Sequence, residues 1–159
     1  MSRVERLPHW VYRLFNVPIH LYRFGFGQKI GPPILILTTT GRKSGQPRQT
    51  PLQYELIDGV YYSGSMRGSE ADWYRNILTD PRVLLAVGDS HFPALAETTE
   101  DDERVLAFLK VRLQRSPRMI AAIMRADGLQ DASDDAALRS YAKNITVVAL
   151  RPSPMDNPD

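Results

Sequence analysis

The chain of 159 residues contains no cysteine. Disulfide bonds, thiolate catalysis and metal sites built on cysteine ligands are therefore excluded. The chain also lacks any apolar run near the roughly 18 residues that a membrane-spanning helix needs, and no signal-peptide pattern is visible. These absences lead us to expect a soluble protein of the cytoplasm.

Histidine is scarce and dispersed. His9, His20 and His91 do not stand in a metal-ligand spacing such as HExxH, so we expect no metal site. Charge is nearly balanced, with 20 lysines and arginines against 18 acidic residues, which argues against a general polyanion binder. Because no nucleophile stands with a base, an enzyme of this sequence would need a cofactor for its reactive chemistry.

Short hydrophobic runs separated by turn residues make up most of the chain. Hydrophobic residues are 43% and charged residues 24%, a balance typical of one globular domain with a real core. The patterns predict strands near residues 34–40, 48–56, 60–65, 82–88, 91–98 and 145–150. They predict helices near residues 72–80, 102–115, 118–126 and 136–142. An α+β fold built on a small antiparallel barrel follows, although periodicity alone leaves other α+β arrangements open.

Local signals mark several ends of these elements. Asp72 is predicted to cap the first helix, and Thr99 with Asp102 resembles a capping pair before the second. Asp58-Gly59 predicts a hairpin turn between two strands.

The two ends of the chain differ in character from the middle. Residues 1–26 are predicted as an N-terminal amphipathic helical segment with a basic, aromatic face. That face suits a membrane-surface contact or a lid, or equally a helix packed on the barrel with its arginines extended into water. The barrel domain is assigned to residues 27–151, and residues 152–159 are predicted as a disordered tail.

The stretch from Leu37 to Leu52 is the most informative part of the sequence. An apolar run leads into three threonines and breaks at Gly41, and an alternating run returns after Pro47. Between them lie a hydroxyl, a second glycine and three cations, namely Arg42, Lys43, Ser44, Gly45 and Arg48. The pattern predicts a hairpin whose cationic tip, with exposed backbone N–H groups, suits an anion. The P-loop pattern fails here, and a plain basic turn in water is the competing interpretation.

The wider motif resembles the deazaflavin-dependent nitroreductase family. The first matching block is Thr38 to Arg48, continued by Pro51-Leu52. The second comprises Ser63-Gly64-Ser65, Trp73-Tyr74-Arg75-Asn76 and Asp80-Pro81-Arg82-Val83. The resemblance implies a split antiparallel β-barrel like those that bind FMN, with peripheral helices and the N-terminal helix. It also implies an oxidoreductase that uses coenzyme F-420, an 8-hydroxy-5-deazaflavin; FMN is the main rival because its phosphate also suits the tip.

The resemblance assigns roles to individual residues. The tip would hold the anionic parts of the cofactor, and the following strand would pass its ring. The implied cofactor-binding residues are Arg42, Lys43, Ser44, Gly45, Arg48, Thr50, Pro51, Leu52, Ser63, Gly64, Ser65, Trp73 and Asn76. For Trp73, a role as a core anchor of its helix is an equal alternative. Protonation of the product would come from solvent or from a hydroxyl, with Ser63, Tyr54 and Tyr62 as candidate catalytic residues.

The substrate is the least defined part of the prediction. Ser116 to Met124 matches the family's substrate-site helix but offers Met119, Ile120, Ile123 and Met124 and no tyrosine. An apolar, methionine-lined pocket would favour a small hydrophobic acceptor such as a quinone, an enone or a nitroaromatic.

Two other classes of function stay open. One is a split-barrel protein that binds a deazaflavin, FMN or haem without turnover, and a substrate-sized cavity would distinguish the enzyme from it. The other is a nucleic-acid or lipid-surface module, but its tip lacks a stacking aromatic platform, so we expect no nucleic-acid partner. Peripheral membrane association through the N-terminal helix and a homodimer are both left open.

Overall fold

The structure, a computed structural model, describes residues 33–65, 68–99 and 101–154, without the side chain of Ser65. The predicted N-terminal helical segment lies outside these ranges. The strands are β1 (Ile34–Thr40), β2 (Pro47–Gln53), β3 (Glu55–Ile57), β4 (Val60–Ser65), β5 (Arg82–Val87), β6 (Ser90–Thr99) and β7 (Thr146–Pro152). The helices are α1 (Asp72–Thr79), α2 (Asp102–Arg115), α3 (Pro117–Ala126) and α4 (Asp135–Ala142). None of these helices is long and apolar enough to cross a membrane.

The strands form one antiparallel sheet of seven strands in the order β2-β1-β5-β6-β7-β4-β3. Its two outermost strands, β2 and β3, are separated in sequence only by Tyr54. The chain therefore passes from one edge of the sheet to the other within a single residue, which curls the sheet into a barrel. Between β2 and β4 the barrel is split, and the Ser63 hydroxyl bridges the split by donating to the Gln53 carbonyl at 2.6 Å. The predicted split-barrel fold is confirmed.

One face of the sheet encloses the barrel core. Alternate residues of β1, β5 and β7 point inward because side chains of a strand alternate between its faces. The fully or nearly buried members from these strands are Leu35, Leu37, Val83, Leu85, Val148 and Leu150. Helix α1 adds Trp73 and Ile77 to this core. Three aromatic rings continue it towards the split: Tyr61 lies 5.2 Å from Tyr54 and 5.7 Å from Phe92, measured between ring centroids.

A second core lies on the opposite face of β4 and β7. Helices α2, α3 and α4 pack there on Tyr62 and Val147. The buried side chains that the helices contribute include Leu106, Phe108, Leu109, Ile120, Met124 and Leu138. Alternation thus separates Tyr61, in the barrel, from Tyr62, under the helices.

Two of the predicted helix caps are wrong. Helix α2 is capped by Asp101, whose carboxylate accepts from the amides of Glu103 and Arg104 at 2.9 and 3.3 Å. Thr99 is still in β6, and its hydroxyl accepts from the Asp101 amide instead. Helix α1 has no side-chain cap, because Asp72 is its first residue and uses its carboxylate elsewhere.

Other local predictions hold. Asp58 and Gly59 form the turn between β3 and β4 with φ angles of 49° and 77°, the left-handed region that this dipeptide tolerates. Strand β7 continues to Pro152, and the Ser153 amide donates to the Pro93 carbonyl at 3.0 Å. These two residues therefore belong to the barrel, whereas the rest of the predicted tail beyond residue 154 lies outside the described ranges.

Candidate functional site

The hairpin tip between β1 and β2 is a tight turn that requires its glycines. The Gly45 amide donates to the Gly41 carbonyl at 2.7 Å, and the Gly41 amide donates to the Gln46 carbonyl at 2.8 Å. Gly45 has a φ of 66°, which disfavours other residues. A Cβ atom at Gly41 would lie 2.7 Å from the Ser44 hydroxyl oxygen. The Gly-x-x-x-Gly spacing therefore fixes the shape of the tip.

Arg42 is fully engaged inside the protein. Its guanidinium donates to the Asp72 carboxylate at 2.9 Å and to the Asn76 side-chain oxygen at 3.0 Å. Its backbone amide donates to the same Asn76 oxygen at 3.1 Å. The Arg42 hydrogen bond, the largest influence, lowers the pKa of the Asp72 carboxyl below its usual value. Arg42 therefore attaches the tip to α1.

The side chains of the other two cations of the tip are free. Lys43 and Arg48 are exposed, and within the described ranges neither side chain makes a hydrogen bond or an ion pair. Ser44 is also exposed and accepts from the Gln46 amide at 3.2 Å. Just behind the tip, the Thr40 hydroxyl is buried and has no hydrogen-bond partner among the described residues. The side chains that remain accessible to an anion at the tip are thus those of Lys43, Ser44 and Arg48.

Asn76 links three elements. Its side-chain amide nitrogen donates to the Thr39 hydroxyl at 3.0 Å, while its oxygen accepts twice from Arg42. The residue is only 3% exposed. Trp73, one turn earlier, lies in the barrel core with its ring edge-on to Tyr74, at 6.1 Å between centroids. The two α1 residues predicted to touch a cofactor are therefore both engaged within the protein.

The strand β2 runs from the tip to the split. Thr50 is half-buried, Pro51 is exposed, and Leu52 packs against the barrel core. Beyond them, Ser63 on β4 is fully buried, and its hydroxyl donates a hydrogen bond to the Gln53 carbonyl. The tip and the predicted ring-side strands thus lie along one continuous edge of the barrel.

The predicted ring-side glycine has a neighbour of its own. A Cβ atom at Gly64 would lie 3.1 Å from the ring of Phe108 on α2. The absence of a side chain at Gly64 therefore leaves room for the Phe108 ring, which packs on the face of β4 that the helices cover. Ser65 pairs with Thr146 through its backbone.

The three candidate catalytic hydroxyls do not converge. Tyr54 lies against Tyr61 at the barrel core, and Ser63 faces the same side of the sheet. Tyr62 packs on the opposite side under the helices. Because adjacent residues of a strand point to opposite faces, Tyr62 cannot share a site with Ser63 without a change of register.

The apolar pocket predicted beneath α3 is filled in the described part of the protein. Ile120 and Met124 are 2% exposed and belong to the helical core. The cavity that remains among Phe108, Ile123 and Tyr141 measures about 20 Å³, room for roughly one water molecule. Ile120, Ile123 and Met124 do line this small cavity, so a substrate-sized pocket at these side chains stays a prediction.

Sequence reasoning missed a charged cluster at the split. Glu55 is 2% exposed, and its carboxylate lies 2.7 Å from Arg115 and 3.7 Å from Arg112 on α2. Arg112 also donates to the side chain of Gln53 at 2.6 Å. Burial lowers the pKa of the Arg112 guanidinium, and the Glu55 charge opposes this shift. Two arginines three residues apart on one helical face were the available signal.

Asp72 was the second omission at the site. Asp72 and Asn76 stand four residues apart, and such residues lie on the same face of a helix. That polar pair on one face of the helix was the signal that α1 receives a polar partner there. Among the described residues, no group of histidine, aspartate or glutamate side chains could hold a metal ion.

The structure thus combines a split antiparallel barrel with an exposed cationic tip. The family model described as F420H(2)-dependent quinone reductase matches residues 5–125. The chain therefore belongs to this family of oxidoreductases, and the resemblance seen in the tip motif is confirmed.

Individual relatives agree with this membership. An F420H(2)-dependent quinone reductase of Mycobacterium tuberculosis (strain ATCC 25618 / H37Rv) is 35% identical over 72 residues, 43% of this chain and 48% of the relative. The chain spans about half the length of the curated relatives it matches. A solved F420-H2-dependent reductase is 26% identical with a TM-score of 0.52, over 75% of this chain and 94% of that one.

The fold extends beyond these reductases. The haem storage protein of Vibrio cholerae is 17% identical with a TM-score of 0.54, over 77% of this chain and 82% of that one. This similarity concerns the fold alone, and function has to be argued from the site.

Proposed function

We propose that the protein transfers a hydride from reduced coenzyme F-420 to a quinone. The observation that carries this proposal is the pair of free cations, Lys43 and Arg48, on a glycine-shaped tip. Family membership and the names of the relatives support the choice of donor and acceptor. FMN is a secondary candidate for the same site.

The residues present fit the anionic part of this coenzyme. Lys43 would act as a point charge and Arg48 as a planar fork, the two ways in which proteins hold phosphate and carboxylate groups. The exposed Ser44 hydroxyl would add a neutral donor. When bound, the reduced coenzyme supplies the hydride, a two-electron reductant that no side chain of this protein can provide.

The contribution of the protein is then mainly geometric. Thr50, Pro51 and Leu52 continue from the tip along β2, so an anchored coenzyme would extend its ring along this strand. A rigid barrel edge holds the reacting atoms in place, and such positioning can supply several kcal/mol of the barrier, up to about 7–11 in well-oriented reactions. The resemblance extends the ring-side contact to Ser63, Gly64 and Ser65 on β4.

Protonation of the reduced acceptor has two routes. Ser63 is the candidate donor nearest β2, but its proton is held by the Gln53 carbonyl at 2.6 Å. Tyr54 is held within the aromatic group of the barrel core, and Tyr62 lies on the helical side. We therefore propose solvent as the main proton source, with these hydroxyls as the alternatives.

The range of acceptors follows from the same reasoning. A quinone is the acceptor named for the family, and enones and nitroaromatics share its electron-poor π system. Because the helical core is closed, the acceptor would have to approach from the side of β2 and the split. Comparison of a lipophilic quinone, an enone and a nitroaromatic at equal concentration would rank these classes.

A second candidate function is cofactor binding without turnover. The observation in its favour is that the cavity found under the helices holds no more than about one water molecule. A protein of this kind would bind the coenzyme and leave it reduced when a quinone is added.

Titration with oxidised coenzyme F-420, and separately with FMN, tests the proposal. Lys43→Ala and Arg48→Ala should each weaken deazaflavin binding by roughly ten- to hundredfold, the value of a hydrogen bond to a charged group. Lys143→Ala, an exposed lysine after α4, is the matched control and should leave binding unchanged. Oxidation of the bound, reduced coenzyme by a quinone then separates an enzyme from a storage protein. Wild-type protein that binds neither cofactor would contradict the proposal.

A further inference from the structure

Arg42 makes more hydrogen bonds than any other residue of the tip, and all of them lead into the protein. Its guanidinium reaches the Asp72 carboxylate, the Asp72 carbonyl and the Asn76 oxygen at 2.9, 3.4 and 3.0 Å. Its amide reaches the same Asn76 oxygen at 3.1 Å. Both the backbone and the side chain of one tip residue are thus attached to α1.

The attachment continues to β1. Asn76 donates to the Thr39 hydroxyl at 3.0 Å, and both residues are buried. Thr39 precedes the tip by two residues, so tip, helix and strand are joined by one amide side chain. Asn76 accepts twice and donates once here, which leaves it little capacity for a ligand.

We propose that Arg42 is a positioning residue for the anion-binding tip, acting through Asp72 and Asn76, and that Lys43 and Arg48 are the cations that touch the anion. This inference rests on the proposed function, because it concerns the same site. The three cations of the motif thus have two roles: Arg42 fixes the backbone of the tip, and Lys43 and Arg48 bind the anion.

The physical reason is preorganisation. A glycine-rich turn gains backbone freedom, and a ligand that binds it must restrict that freedom at a cost in affinity. Arg42 restricts this freedom before binding, because its backbone amide and its guanidinium are both bonded to α1. A planar arginine fork suits this purpose, since it binds two acceptors in a fixed geometry.

Asp72 makes the inference testable by the sign of an effect. Its side chain is 84% exposed and lies beside the tip, where its negative charge repels an anion. If charge alone decided affinity, removal of this carboxylate would strengthen anion binding and release Arg42 for the ligand. If Arg42 acts by positioning, the same removal weakens binding, because the tip loses its attachment.

The test compares Asp72→Ala and Arg42→Lys with wild type and with Asp89→Asn. Asp89 is an exposed acid after β5, at the end of the barrel away from the tip, and serves as the matched control. Affinity for oxidised coenzyme F-420 is measured by fluorescence at a temperature where circular dichroism shows each variant folded. Amide hydrogen exchange of residues 41–46 is measured without cofactor.

We expect Asp72→Ala to bind about two- to fivefold more weakly, the range set by an exposed ion pair, and its tip amides to exchange faster. Arg42→Lys keeps the charge and loses the fork, so it should weaken binding in the same direction. The double variant Asp72→Ala/Arg42→Lys should lose no more affinity than the sum of the two single losses, because both substitutions act on one contact. Asp89→Asn should match wild type.

Two outcomes overturn the inference. Binding that is unchanged or tighter in Asp72→Ala contradicts positioning, and so does tip exchange equal to that of wild type. If wild-type protein binds no deazaflavin at all, the proposed function fails, and the exchange comparison alone decides whether Arg42 fixes the tip. Failure of the function and failure of the inference are therefore distinguishable.

Discussion

The carboxylate of Glu55 and the guanidinium of Arg115 lie 2.7 Å apart at the point where the chain crosses from β2 to β3. The Arg115 guanidinium also donates to the Leu56 carbonyl at 3.1 Å. From the other side, Ser63 holds the Gln53 carbonyl. The crossing residue, Tyr54, is thus flanked by residues fixed to α2 and to β4, which keeps the two edges of the split barrel together.

Replacement of Glu55 by alanine should destabilise the protein strongly. Arg112, whose side chain is largely buried, would lose its counter-charge. Removal of one partner of a buried ion pair costs about 3–5 kcal/mol. We expect a loss near the lower end of this range, about 3 kcal/mol, because Arg115 is half exposed. Urea unfolding gives the free energy. Glu97→Ala, which breaks an exposed pair with Arg151, is the control and should cost little; equal losses in the two variants would contradict the prediction.

The contact between Gly64 and Phe108 should limit the size of residue 64. An added methyl group would approach the Phe108 ring to 3.1 Å, so Gly64→Ala should cost about 1 kcal/mol through overpacking. The double variant Gly64→Ala/Phe108→Leu should recover part of this cost, because a smaller side chain makes room. A double-mutant cycle from thermal or urea unfolding measures the coupling. Additive effects would show that the two residues do not constrain each other.

Ser63→Ala separates a structural role from a catalytic one. The substitution removes the hydrogen bond to Gln53 and should lower the free energy of unfolding by about 1 kcal/mol. If solvent supplies the proton to the acceptor, the rate of quinone reduction per folded molecule should stay within about twofold of wild type. A rate that falls by about a hundredfold or more would instead make Ser63 the proton donor.

Asp80 should make stability depend on pH in the acidic range. Its carboxylate accepts from the Arg82 guanidinium and amide at 2.9 and 3.1 Å, and the guanidinium hydrogen bond, the largest influence, lowers the pKa of Asp80. A pKa lower in the folded than in the unfolded state adds stability above the ordinary value of 3.8, and this stability is lost as pH falls through the folded value. Asp80→Asn should therefore be less stable than wild type near neutral pH, and the difference should shrink below about pH 4. Unfolding at several pH values measures it, and a difference independent of pH would contradict the assignment.

The sequence by itself determined the local features. The glycine spacing around Lys43, the Asp58-Gly59 turn and the alternation in the strands depend on backbone sterics and on side-chain period, which act over a few residues. The same stretch was long enough to indicate the family. Strand and helix positions agree with the structure to within a few residues, except that the single strand predicted over residues 48–56 is two strands, β2 and β3, divided at Tyr54. The cap of α2 was misplaced because Thr99, Asp101 and Asp102 compete within four positions.

Only the tertiary structure decided which two tip cations are free, because the partners of Arg42 lie 30 and 34 residues further along the chain. The same holds for Glu55, whose arginine partner Arg115 is 60 residues away, and for Gly64, whose small size serves Phe108. In each case the sequence shows that a charged or small residue is present, and the fold determines which residues it contacts. Hydrogen bonds and packing depend on which elements the barrel brings together, and the local sequence pattern does not specify those partners.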